Sequence, residues 1–224
     1  MKIKILIIIL ALLILFPLIE AEVGKNYETN CENGICTTNL YSYQKYYQDD
    51  GKWKEINENF KTENCEDGFD FCVDGNLYQF NSNENLSNQK ITYKDSILSF
   101  GLNKLYDLTV DKPIATISGN VLNYSGIYDG IDLIYTYLPN KLKEEIVIND
   151  PKIFSNVDED VEITFDLDSH GGSIRNENDR VSVGDTFIRN LVAYDSGVSS
   201  VSIPLSLVEN ELKLKIPIDW LKDE

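Results

Sequence analysis

Positive charge is the first scarcity in this sequence. The chain carries 20 Lys and Arg against 37 Asp and Glu, a net charge of −17 at pH 7. A field of that sign repels phosphate backbones, which speaks against nucleic acid as a partner, and it favours cations or basic surfaces. Solvation of an exposed β surface accounts for the same charge without any partner. Histidine is scarcer still. The single one, His170, sits in the turn-like stretch Asp168-Ser-His-Gly-Gly172. One loop histidine supports neither a Ser-His-Asp nor a Cys-His nucleophile arrangement. The sequence also lacks phosphate-cradling glycine loops, dinucleotide fingerprints, basic–aromatic stripes and tandem repeats. After residue 21 it has no second long apolar run and no convincing amphipathic helix.

What is there begins with an export signal. Lys2 and Lys4 precede an apolar run from Ile5 to Ile19, broken near its end by Pro17, and Ala21 supplies a small residue for cleavage. The run is short for a membrane span, which needs about 20 apolar residues, and reads as a secretory signal peptide over residues 1–21. The expected location is therefore extracellular or at the cell surface. A membrane enters only if this segment stays uncleaved as an anchor.

Four cysteines, Cys31, Cys36, Cys65 and Cys72, fall in the first third of the exported part. An even number in an exported chain predicts disulfides. Of the three pairings, the local one, Cys31–Cys36 with Cys65–Cys72, is favoured by turn geometry. Asn33-Gly34 is a strong two-residue hairpin signal. It makes Glu32 and Ile35 a hydrogen-bonded pair and puts Cys31 opposite Cys36 in the next, closer pair, within disulfide reach. Zinc is disfavoured by export and by the absence of short Cys-x-x-Cys spacing.

The rest reads as strands. Cys36–Gln48 is dense in Thr and Tyr, and Asp49-Asp50-Gly51 turns it back into Trp53–Ile56. Phe69–Phe80 holds a hairpin turning at Asp74-Gly75, and strand signals continue through Lys90–Phe100 and Leu105–Ile117. Val161–Asp168 and Leu212–Asp219 alternate apolar and polar residues with period two, one face for a core and one for water. Pro217, lacking a backbone donor, predicts that the last strand lies at an edge. Asn81–Gln89 reads as a polar loop. The expected fold class is all-β: an antiparallel β-sandwich following a cleaved N-terminal signal helix. The expected organisation is a Cys-containing β-hairpin region over 22–80 and a sandwich module over 81–224, with one continuous domain as the alternative.

Several segments together resemble a known module. Tyr47-Gln-Asp-Asp-Gly-Lys-Trp-Lys-Glu-Ile-Asn57, Tyr128-Asp-Gly-Ile-Asp-Leu-Ile-Tyr135, Leu142-Lys-Glu-Glu-Ile-Val-Ile148, Ala193-Tyr-Asp-Ser196 and Ile218-Asp-Trp-Leu221 are similar, in order and spacing, to the N-terminal β-rich region of bacterial and archaeal wall-associated and RHS-repeat surface proteins. The resemblance touches roughly residues 40 to 221. It implies a secreted β-rich module preceding repeats, adhesive domains or toxin-bearing regions, and no catalytic residues. The sequence departs from the family pattern after Leu221: where a "Y-P-V-x-I-D-P" strand usually follows, it ends at Lys222-Asp-Glu224. Both a stand-alone version and one part of a longer polypeptide remain open. Trp53 and Trp220 read as core anchors, and Lys143, Glu144 and Glu145 as a solvated strand edge.

The remaining candidate sites are few. Asp166–Glu177 partly mimics a calcium loop, with His170 in place of a hard oxygen ligand, and a looser calcium site would draw on Asp158, Asp160, Asp166 or Asp168. The polar face of one strand accounts for the same acids without a metal. Asn85-Leu-Ser87 and Asn123-Tyr-Ser125 fit the glycosylation sequon. No catalytic residue and no cofactor beyond calcium is expected. The expected function is a non-enzymatic secreted or surface β-sandwich module with a structural, adhesive or binding role toward an extracellular protein or glycan. Two alternatives stay open: a secreted hydrolase acting on extracellular polysaccharide through paired carboxylates, and a calcium-dependent surface binding protein.

Overall fold

The computed structural model describes residues 22–32, 35–106, 108, 112–177, 180–189, 191–194 and 199–222. The predicted signal segment and the Asn33-Gly34 turn lie outside these residues. The chain is all-β with antiparallel sheets, as its alternation predicts, and it divides into two compact units between Ile56 and Asn57. No helix among the described residues is long and apolar enough to cross a membrane.

The first unit holds β1 (Glu22–Gly24), β2 (Tyr27–Glu32) and β3 (Ile35–Leu40) in one antiparallel sheet, and a separate hairpin of β4 (Tyr46–Asp49) and β5 (Lys52–Glu55). The register of β2 and β3 sets Glu32 opposite Ile35 and Cys31 opposite Cys36, and a disulfide joins the two cysteines across a Cα separation of 4.0 Å. The β4–β5 turn places Asp50 and Gly51 both at positive φ, 47° and 75°, the geometry that matches the twist of two-residue hairpins. Trp53 on β5 is 39 % exposed and so anchors no core, contrary to the sequence reading. The unit is pinned by Glu28. Its carboxylate accepts from the Tyr41 hydroxyl at 2.6 Å, from Asn39 at 3.2 Å and from the Tyr46 hydroxyl, with Lys45 3.8 Å away.

The second unit begins with β6 (Phe71–Val73), β7 (Gln79–Ser82), β8 (Gln89–Tyr93) and β9 (Ser96–Leu105). A four-stranded meander follows, β10 (Ile114–Ser118), β11 (Val121–Tyr128), β12 (Ile131–Leu138) and β13 (Lys141–Ile148). After a 3-10 turn at Pro151–Phe154, β14 (Val161–His170) returns beside β9. Next come β15 (Ile174–Glu177), β16 (Arg180–Val183) and β17 (Thr186–Arg189), a small sheet of their own, and the pair β18 (Leu191–Tyr194) and β19 (Ser200–Ile203). β20 (Leu205–Val208) and β21 (Glu211–Ile216) complete a seven-stranded sheet in the order β20-β21-β14-β9-β8-β7-β6. A short helix, α1 (Ile218–Lys222), ends the described chain.

Alternation makes this unit a sandwich. Leu122, Tyr124, Ile131, Leu133, Tyr135 and Tyr137 are buried on one face of the meander, while Phe80, Leu98, Ile163, Phe165 and Leu167 are buried on the seven-stranded sheet. The two faces meet through aromatic rings. Phe80 lies 5.2 Å from Tyr135, Phe71 lies 6.2 Å from Tyr124 edge-on, and Tyr78 stacks on Tyr137 at 4.4 Å. Such rings bury large apolar area and hold preferred mutual geometries. Phenols are also tied to backbone, Tyr137 donating to the Tyr78 carbonyl at 2.6 Å, Tyr78 to the Leu138 carbonyl at 3.0 Å and Tyr124 to the Asn83 carbonyl at 2.8 Å.

Two sequence expectations change here. β21 is not an edge strand, because β20 pairs along its outer side. Pro217 lies one residue past the last ladder pair, Val161 with Ile216, so its missing N–H interrupts nothing, and its carbonyl accepts from Leu221 in α1. The stretch read as a polar loop, Asn81–Gln89, begins and ends inside strands, with Asn81, Ser82 and Gln89 all buried. β6 lies before residue 80 and β7 runs across it, and both belong to the seven-stranded sheet. The second disulfide, Cys65–Cys72, fastens the loop before β6 to that strand.

Candidate functional site

The four acidic residues considered for calcium do not converge. Asp158 is exposed, 3.4 Å from the Lys222 ammonium. Asp160 accepts from the Ile218 backbone N–H at 3.2 Å, capping α1. Asp166 and Asp168 stand on the outward face of β14, where Asp166 accepts from the Asn103 amide at 3.0 Å. Among the described residues no group of three or more His, Cys, Asp and Glu is placed to hold a metal ion. The calcium-loop likeness fails because its first residues form a straight strand rather than a turn. His170 closes β14, exposed, opposite Ile97. The two sequons differ sharply. Asn85 is exposed in the β7–β8 loop, its side-chain oxygen accepting from the Ser87 N–H. Asn123 sits within β11, donating to Ser125 Oγ at 3.1 Å, with its side-chain oxygen buried. Trp220 is half-buried against the core, as read from sequence.

A carboxyl missed by that reading lies inside the sandwich. Lys143 and Glu145 do form a solvated pair at 2.6 Å. Glu144 between them points the other way. It pairs in register with Tyr135, on the same face as Leu142 and Ile146, and its Oε1 is buried without a hydrogen-bond partner. Burial pushes its carboxyl up to about 7, against the opposing pull of the Tyr135 hydroxyl. The Tyr135 phenol, also buried, is held well above its ordinary value. Elsewhere in the interior, Gln89 is 0 % exposed and neither amide atom has a partner, while its strand neighbour Ser82 hydrogen-bonds the Tyr124 hydroxyl at 2.7 Å. A carboxyl raised toward neutrality suits a general acid, but Oε1 faces the interior, away from any groove through which a substrate could reach it.

The outward face of β15–β17 is a different kind of surface. Val181 and Val183 turn inward and are fully buried, which sends Arg180 and Ser182 outward. Across the ladder one row reads Glu177, Arg180, Arg189 and the next Arg175, Ser182, Phe187. These are the only three arginines in the chain. Arg180 and Arg189 are directly opposite each other, a like-charge pairing that destabilises a sheet. Their guanidinium carbons lie 5.4 and 4.9 Å from the ring centre of Phe187, itself 47 % exposed. Arg175 donates to Ser173 Oγ at 3.0 Å, and Arg180 pairs with Glu177 at 2.6 Å, which lowers the Glu177 carboxyl. The face borders a groove of about 420 Å³ lined by Arg175, Glu177, Arg180, Ser182 and Phe187 together with Gly172, Ser173, Gly184, Asp185 and Thr186. Linear sequence shows no basic–aromatic stripe because its members come from three strands and assemble only through register.

Comparison with family models, with curated proteins and with solved structures gave no significant match to this chain.

Proposed function

We propose that the chain is an exported, non-enzymatic β-sandwich module that binds a partner at the cell surface. The observation that carries this reading is the β15–β17 face. It is a cationic, aromatic, solvent-exposed surface on a rigid scaffold whose net charge is otherwise strongly negative. A like-charge pair kept at the expense of stability is more readily understood as serving recognition than folding. Both disulfides support an oxidising compartment, and so does the signal-like start of the sequence. The resemblance to the N-terminal module of wall-associated and RHS-repeat proteins points the same way. A polysaccharide hydrolase is the weaker reading, since among the described residues the carboxyl raised toward neutrality, Glu144, turns its Oε1 into the interior.

The test is the non-reduced intact mass of the protein recovered from fractions of its native cells. A surface or secreted fraction carrying residues 22–224 less four hydrogens is expected. A cytoplasmic protein that keeps residues 1–21 and four thiols would overturn the proposal.

A further inference from the structure

We infer that the β15–β17 face binds a carboxylate-bearing polysaccharide, a chain of sugars carrying uronic-acid groups. This rests on the binding-module reading and names its ligand class. Guanidinium is the side chain whose planar fork matches a carboxylate with two parallel hydrogen bonds. The chain places its only three arginines on this one small sheet, spread over two rows and three strands. Adjacent strands lie about 4.8 Å apart, so the guanidiniums span a length comparable to a disaccharide rather than converging on a single ion. Stacking on Phe187 fixes two of them and reduces the side-chain entropy lost when they engage a ligand.

The surroundings suit a sugar. Ser173, Ser182 and Thr186 line the adjoining groove with hydroxyls. Sugar hydroxyls find both donors and acceptors there.

Charge density selects among polyanions. Three arginines against Glu177 and Asp185, the latter paired with Lys94, make this face locally positive inside a molecule of net charge −17. A nucleic acid, with one charge about every 1.7 Å of duplex axis, would carry most of its phosphates into that repelling field. A uronic-acid polymer spaces its carboxylates more widely and puts few charges outside the face, within the screening length of about 8 Å at physiological salt.

The experiment is a titration of the purified full chain by isothermal calorimetry at about 50 mM salt, where surface electrostatics are least screened. The probes are polygalacturonate, neutral dextran, poly-glutamate and single-stranded DNA. Binding to polygalacturonate alone is expected, weakening as salt rises. The double variant Arg175→Gln/Arg189→Gln should bind it roughly tenfold or more weakly, while Lys141→Gln, on an exposed strand end elsewhere, should bind as the parent does. A thermal melt no lower than the parent's certifies that the double variant is folded, and Arg189→Lys, which keeps the charge but not the fork, should fall between the two in affinity. No binding to polygalacturonate, equal or tighter binding to poly-glutamate or DNA, or binding untouched by the double variant would each overturn the inference. Those results leave the exported-module reading standing, because that reading falls only on the mass and cell fraction of the native protein.

Discussion

At the scale of single residues, the interior polar groups decide how the fold responds to pH. Glu144 has a folded-state value of about 7, above its ordinary 4.5. A carboxyl raised on folding favours the native state fully below 4.5 and loses that advantage as pH rises through 7. The protein should therefore melt at a lower temperature at pH 8 than at pH 5, by an amount on the order of 3 kcal/mol at most. Glu144→Gln should abolish that difference and raise the melting temperature at pH 8; a variant with the parent's pH profile would show that Glu144 is not the group responsible. Gln89 makes a simpler prediction. With both amide atoms buried and unpartnered, Gln89→Leu removes a desolvation penalty and should stabilise by about 1–3 kcal/mol in urea unfolding.

Both residues show what the sequence conceals. Glu144 was legible in principle, since Leu142, Glu144, Ile146 and Ile148 share a period-two face, but its two charged neighbours made the segment read as an edge. Gln89 gave no sign, because a polar run around Asn81–Gln89 looks like a loop until the sheet closes over its ends. Trp53 misled in the opposite sense: a large aromatic predicts burial, and strand β5, exposed along its whole length, has no core to offer.

At the scale of elements, turns and registers were the most readable features. Asn33-Gly34 chemistry anticipated the pairing of Cys31 with Cys36, and alternation anticipated β14 and β21. Strand order was not readable, because nothing local to β14 tells it to pair with β9 on one side and β21 on the other. The arginine face depends on that non-local step. It is also braced by a glycine contact. Gly171 sits at φ 76°, where an added methyl would strike the Asp95 carbonyl, and a methyl on Gly172 would come within 2.6 Å of Gly184. These turns, with the Lys94–Asp185 pair at 2.8 Å, hold the small sheet to the β8–β9 hairpin. Gly171→Ala should cost about 2 kcal/mol or more and loosen β15–β17 first, seen as faster amide exchange there than in β12. Uniform exchange would refute the bracing role.

In the first unit the corresponding brace is Glu28, whose carboxyl the Tyr41, Tyr46 and Asn39 hydrogen bonds lower from 4.5 to about 2. A lowered carboxyl stabilises above 4.5, and that contribution drains away as pH falls through 2. Trp53 fluorescence, followed in a Trp220→Phe background, should report acid loosening of this unit across that window, and Glu28→Gln should loosen it already at pH 6. Emission unchanged by the substitution would dismiss Glu28 as the pin.

At the scale of the whole molecule, charge and covalent ties dominate. A net charge of −17 opposes compaction through self-repulsion, so adding salt from about 20 to about 500 mM should raise the melting temperature even as it weakens any ligand held by the arginines. A melt indifferent to salt would mean that the acidic residues are already neutralised by local pairs. Each small disulfide loop contributes roughly 2 kcal/mol in the chain-entropy picture, and reduction should destabilise each unit by that order.

The placement of the arginines has one more result. A body whose total charge is negative but whose three arginines share one small sheet carries there a local charge opposed to its total. Near an anionic polymer it turns before it touches, presenting β15–β17 first. If the inferred polymer binds there, neighbouring copies along one strand repel through their net negative charge, which works against clumping and does so more strongly at low salt than at high.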